Sequence, residues 1–140
     1  MENNIILTAN GFNDAAPRSA KIDELFENIT KGKNVLIIGN AAKVSNRGQR
    51  EPVKNNFLRV GAKKVDLIDI DESVDLQILF DYDVIYVIGG DVGELLDLNY
   101  FIPAFKENII KFLENGGIYI GESAGSIILA DDCTYLYDVE

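Results

Sequence analysis

The sequence predicts a three-layer α/β sandwich built on a mainly parallel sheet. Two observations carry that expectation. Short β-branched runs alternate with segments of helical period, and three of those runs are almost unbroken apolar stretches, as strands covered on both faces must be. Ile5-Ile6-Leu7 is the first run. Ile22, Leu25, Phe26 and Ile29 then repeat at i, i+3, i+4 and i+7, one apolar helix face, with Ser19 placed to cap its start and Gly32 its end. Val35 to Ile38 is the second strand. Val53, Phe57 and Val60 form the next helical stripe, with Pro52 in its first turn and Gly61 behind it. Val65 to Ile70 reads as a strand, and Asp66 and Asp69 within it put it near a sheet edge. Leu76, Ile78, Leu79 and Phe80 predict a short helix, and Val84 to Ile88 the fourth strand. Phe105, Ile109, Ile110 and Leu113 mark a helix running from Pro103 to Gly116-Gly117, followed by the strand Ile118-Tyr119-Ile120. With no internal repeat or linker, residues 1–140 read as one domain.

Composition narrows the function. The 140 residues carry 13 basic and 23 acidic side chains, a formal charge of −10, which disfavours nucleic acid and anionic membranes as partners because both are polyanions. No apolar run is long enough to span a bilayer, and Met1 to Asn10 lack the pattern of a signal peptide. The single cysteine, Cys133, cannot form an intrachain disulfide, so a reducing cytoplasm is expected. The count of histidines is zero. That removes Ser-His-Asp chemistry and His-ligated metal sites from these residues, and a second copy of the same chain could not restore them.

In open parallel sheets, function sits beyond the carboxyl ends of the strands. The segment leaving the last strand is Gly121-Glu122-Ser123-Ala124-Gly125, a G-x-S-x-G pattern between a strand and the apolar segment Ile127 to Ala130. That is the strand–turn–helix context of a nucleophile elbow. The turn is so tight that a side chain two residues to either side of the serine would collide, hence glycine at both places. The serine oxygen is lifted above the sheet, beside backbone N–H groups that favour a developing oxyanion. The segment leaving Val84 to Ile88 is Gly89-Gly90-Asp91-Val92-Gly93-Glu94-Leu95-Leu96, whose consecutive glycines let N–H groups approach an anion closely. Taken alone it also fits a phosphate loop, although it matches neither a Walker pattern nor G-x-G-x-x-G.

Together, a strand ending in Gly-Gly-Asp with Leu-Leu shortly after it, a helix, and a strand ending in Gly-x-Ser-Ala-Gly resemble the dipeptidase E (aspartyl dipeptidase) family of serine peptidases, to which cyanophycinase is related. The family's first element reads Gly-Gly-Gly-Asn-Thr, where this chain has Ile88, Asp91 and Val92 in place of the first glycine, the asparagine and the threonine. The resemblance runs from about Val35 to the C-terminus and implies a flavodoxin-like or class I glutamine-amidotransferase-like fold. It implies Ser123 as nucleophile, the N–H groups of Gly90 and Ala124 as the oxyanion hole, and Gly89, Asp91, Gly121 and Gly125 as residues that shape the site. Its acidic residue falls on Asp138, with Asp131, Asp132 and Glu140 nearby; all four read equally as a solvated acidic tail. It implies no cofactor and no metal, and a short peptide with an N-terminal aspartate as substrate.

The family's histidine base lies on a segment downstream of these residues, so the chain resembles the N-terminal part of a longer domain and is expected to be inactive by itself. Lys43 could serve as base of a Ser-Lys dyad, although a solvated surface lysine is the more ordinary reading. Arg47 and Arg50 are candidates to hold a substrate carboxylate, and surface charges otherwise. Cys133 to Tyr137 reads as a strand with little left to pair it, an edge that invites association with a second copy. The competing function is a flavodoxin-like module that binds a nucleotide or flavin through Gly39 to Lys43 and Gly89 to Gly93.

Overall fold

The structure, a computed structural model, describes residues 4–14, 17–43 and 49–129. Its centre is a five-stranded sheet in the order β1-β5-β4-β2-β3, every pairing parallel. The strands are β1 Ile5–Thr8, β2 Asn34–Ile38, β3 Lys64–Ile68, β4 Val84–Val87 and β5 Ile118–Glu122. From β2 onward the order is that of a flavodoxin-like sheet, with β1 in the outer place beside β5.

Helices α1 (Ala20–Thr30) and α2 (Arg50–Arg59) cover one face. Helices α3 (Val92–Phe101), α4 (Pro103–Glu114) and α5 (Ala124–Ile127) cover the other, with a 3-10 turn over Leu76–Asp81. The period of two along each strand sorts the core between these layers. Val35, Ile37, Val84, Tyr86 and Ile120 pack with Phe12, Phe26 and Phe57, whereas Leu36, Ile38, Ile85, Val87 and Tyr119 pack with Leu95, Phe105, Ile109 and Leu113. β4 is fully buried, because it is flanked by strands on both sides and by helices on both faces. The outer strands differ. Asp66 sits half-buried on β3, the edge its charge predicts, while Ile5 and Leu7 of β1 remain 46% and 57% exposed.

Three expectations change in detail. Ser19 occupies the N-cap position of α1, but its side chain makes no capping hydrogen bond. The segment Leu76 to Phe80 winds as a 3-10 turn. Two helices, not one, join β4 to β5, since Leu95 and Leu96 belong to a helix of their own. The break comes at Ile102 (φ −128°, ψ 69°), which precedes Pro103 and is therefore barred from helical geometry by the proline ring. The strand expected over Cys133 to Tyr137, and with it the copy-to-copy edge, lies outside the described residues.

This topology creates a crevice. The chain leaves β2 for β3, then crosses back over β2 to enter β4, so the loops after β2 and β4 diverge at their carboxyl ends. Asp91 N–H donates to Ala41 O at 2.8 Å, which joins the two loops. The turn after β5 lies alongside.

Candidate active site

Ser123 follows β5 at φ 52°, ψ −111°, and among the described residues it is the one non-glycine at positive φ. A side chain rarely tolerates that backbone, and strain of this kind costs on the order of 1–3 kcal/mol unless its surroundings impose it. Here they do. Ser123 N–H donates to Thr8 O at 2.9 Å, and Tyr119 O–H donates to Gly125 O at 2.6 Å. Ser126 Oγ lies 2.9 Å from both Thr8 O and Gly121 O. The flanking glycines are required by space. A Cβ on Gly121 would lie 2.6 Å from Gly125 O, and a Cβ on Gly125 would lie 2.3 Å from Val87 O of β4. The turn therefore presses flat on the sheet, and Ser123 itself is exposed.

The bend after β4 meets this turn. A Cβ on Gly89 would stand 2.8 Å from Glu122 O and 3.0 Å from Ser123 Cβ, so only a hydrogen fits between bend and serine. Gly90 has φ +145°, and a Cβ there would meet Ala41 O at 2.2 Å. Gly90 is exposed, and no described residue accepts a hydrogen bond from its N–H or from that of Ala124. Asp91 caps α3, its carboxylate accepting from Gly93 N–H at 2.9 Å. The two glycine segments singled out in the sequence are thus neighbours around one exposed hydroxyl.

Beneath them lies a group that sequence reasoning passed over. Glu122 is 1% exposed. Its Oε2 accepts from Gly89 N–H at 2.8 Å and from Asn13 Nδ2 at 3.4 Å, and its Oε1 accepts from Tyr86 O–H. Tyr86 Oη in turn accepts from Phe12 N–H at 3.0 Å. Burial raises the pKa of the Glu122 carboxyl, and the donors from Tyr86, Gly89 and Asn13 oppose that rise. Burial and the facing carboxylate push Tyr86 well above the ordinary tyrosine range, so it stays a neutral donor. One signal could have found Glu122. It shares the inward face of β5 with Ile118 and Ile120, where a charge is out of place unless it is bonded.

The remaining candidates fall as follows. Lys43 is exposed and lines a cavity of about 530 Å³ with Asn40, Asp71, Glu94 and Asp97, on the α3 side of the crevice. Arg50 is paired with Asp69 at 3.1 Å, tying α2 to the end of β3, so its charge is already matched within the fold. Arg47, Asp131, Asp132, Asp138 and Glu140 lie outside the described residues. Among the described residues, no cluster of three or more His, Cys, Asp or Glu is placed to hold a metal ion. Among them, too, no helix is long and apolar enough to cross a membrane.

The model of peptidase family S51 matches residues 5–138. The chain belongs to peptidase family S51. It is 31% identical over 140 residues to the uncharacterized peptidase Lin0382 of Listeria innocua, covering 98% of this chain and 64% of that one. A crystal structure from Listeria monocytogenes EGD-e, of a protein named as a candidate peptidase E, superposes with a TM-score of 0.71 at 24% identity. The match covers 98% of this chain and 66% of that one, and it carries the fold. The chain thus spans just under two thirds of the length of these relatives. Membership of family S51 agrees with the resemblance to dipeptidase E read from the glycine segments.

Proposed function

We propose that this family S51 chain carries the nucleophile and oxyanion hole of a serine peptidase acting on short peptides, with Ser123 as the attacking residue. The observation that carries the reading is the strained, exposed Ser123 at φ 52°, wedged between Gly121 and Gly125 and touching the Gly89 bend. In the reaction, Ser123 Oγ adds to the peptide carbonyl carbon and its proton passes to a base. The carbonyl oxygen becomes an oxyanion facing the N–H groups of Gly90 and Ala124. The C–N bond then breaks and the amine leaves with a proton. Water hydrolyses the ester and releases the acid. Following the resemblance, the substrate is a dipeptide with an N-terminal aspartate, Asp138 supports the base, and the compartment is the cytoplasm.

The base is not a histidine of these 140 residues, since they contain none. Removing such a base lowers turnover on the order of 10⁶-fold and leaves the contribution of the oxyanion hole. The test supplies the base from solution. A fluorophosphonate probe is incubated with the chain, with and without imidazole, and the adduct is mapped by mass spectrometry. Ser123 should be labelled faster than Ser126, imidazole should accelerate it, and urea should abolish the preference. Labelling no faster than in the unfolded chain, with imidazole present, would overturn the proposal.

A further inference from the structure

We infer that Glu122 is a positioning residue that clamps the Gly89-Gly90 bend against the serine turn and so holds the Gly90 N–H where an oxyanion would form. The inference rests on the peptidase reading for its purpose, but its geometry stands apart from it. Glu122 is next to Ser123 in sequence, yet its side chain turns inward, away from the exposed serine. There it gathers three donors from separate parts of the chain: Gly89 N–H from the bend, Tyr86 O–H from β4 and Asn13 Nδ2 from the loop after β1. A protonated carboxyl has an O–H of its own to place. Three donors converging on two oxygens match the ionised form, which only accepts. The contact with Gly89 is the only one of the three that reaches the bend. Steric contact alone would resist compression of Gly89 against Glu122 O and Ser123 Cβ, whereas the hydrogen bond resists separation. Together they hold the bend from both sides.

Other chemistry at this position would be less suitable. In Glu122→Gln, the amide oxygen can still accept from Gly89 and Asn13, but the NH₂ then faces Tyr86 O–H. Tyr86 Oη already accepts from Phe12 N–H, and its own proton loses its acceptor. A side chain such as Ala offers nothing to Gly89 at all.

Amide hydrogen exchange, read residue by residue by NMR, measures the clamp directly. In Glu122→Ala, Gly89 should exchange about tenfold faster or more, since a hydrogen bond to a charged group is worth roughly one to two powers of ten. Val87 and Ile85 on the same strand should change little. In Glu122→Gln, Gly89 should lie between the two, several-fold faster than in the unaltered chain. Fluorophosphonate labelling of Ser123 should slow in the same order. Should the Ala variant not fold, the Gln variant decides the matter, because it keeps the shape and an acceptor. Gly89 exchange unchanged in Glu122→Gln, or altered only in step with Val87 and Ile85, would overturn the clamp. Selective loss of Gly89 protection with no labelling of Ser123 in any form would uphold the clamp and overturn the peptidase reading. Normal labelling with Gly89 indifferent to residue 122 would do the reverse.

Discussion

Gly125 is where the serine turn is most tightly bound to the sheet, and Gly125→Ala tests that contact. The added Cβ would lie 2.3 Å from Val87 O and 3.1 Å from Val87 C, while real Cβ atoms essentially never come within 3.0 Å of such neighbours. The turn must therefore retreat by at least about 0.7 Å, or β4 must yield. β4 is paired on both sides and wholly buried, so the turn is the part that moves. Overpacking of this kind costs about 1–3 kcal/mol. The retreat also stretches the 2.6 Å bond from Tyr119 O–H to Gly125 O, buried and worth about 1 kcal/mol more. The sum is roughly 2–4 kcal/mol. Urea denaturation followed by far-UV circular dichroism would measure it. The control is Gly32→Ala, at φ +74° with nothing within 4 Å of the new Cβ, which carries a conformational cost without a clash. Labelling of Ser123, two residues away, should fall at least tenfold in Gly125→Ala. A stability loss under about 0.5 kcal/mol, with labelling intact, would refute the reasoning, because the contact would then be soft.

Three further outcomes follow from the same structure. Ser123→Gly should abolish probe labelling while raising stability by about 1 kcal/mol, since glycine tolerates φ 52° at the cost of some unfolded-state entropy; a destabilised variant would show that the turn is not strained. Asn40→Ala removes both the 2.9 Å bond to Ile70 O and the 2.8 Å bond from Ile70 N–H, and should cost about 2–4 kcal/mol in urea unfolding, against under about 0.5 kcal/mol were that pairing dispensable. The third concerns pH. Burial raises the folded-state pKa of Glu122 above its ordinary value of 4.5, so the folded chain binds that proton more tightly than the unfolded one. Its contribution is fully present below the unfolded pKa and is lost as pH rises through the folded one. Urea midpoints of the unaltered chain should therefore decline relative to Glu122→Gln as pH rises from 4 toward 7, and a rise would contradict the assigned direction.

Much of this was legible in the residues. β2 and β4 announce themselves because both their faces are covered, leaving Val35 to Ile38 and Val84 to Ile88 without a polar residue apart from Tyr86. The serine turn is legible because its constraint is local: glycine two positions before and after Ser123 answers clashes within the turn or against the next strand. The boundary between α3 and α4 is not legible, since Leu95, Leu96 and Leu98 form too short a stripe to stand out, and an aspartate after two glycines suits a binding loop as well as the helix cap that Asp91 is. Glu122 was hidden for a different reason. It fills the free position of the G-x-S-x-G pattern, and its partners Asn13 and Tyr86 lie 109 and 36 positions away. Only the assembled sheet brings them together.

The place of β1 has a consequence for how the molecule comes into being. Thr8 contacts Ser126 across 118 positions of chain, and Ser123 takes its amide partner from the same strand. During synthesis β1 must wait, its Ile6 uncovered and its backbone unpaired on that side, until β5, more than a hundred residues later, has left the ribosome. The Ser123 turn is therefore set only once β5 has docked beside β1, and a nascent chain halted before β5 would have neither that strand partner nor the elbow.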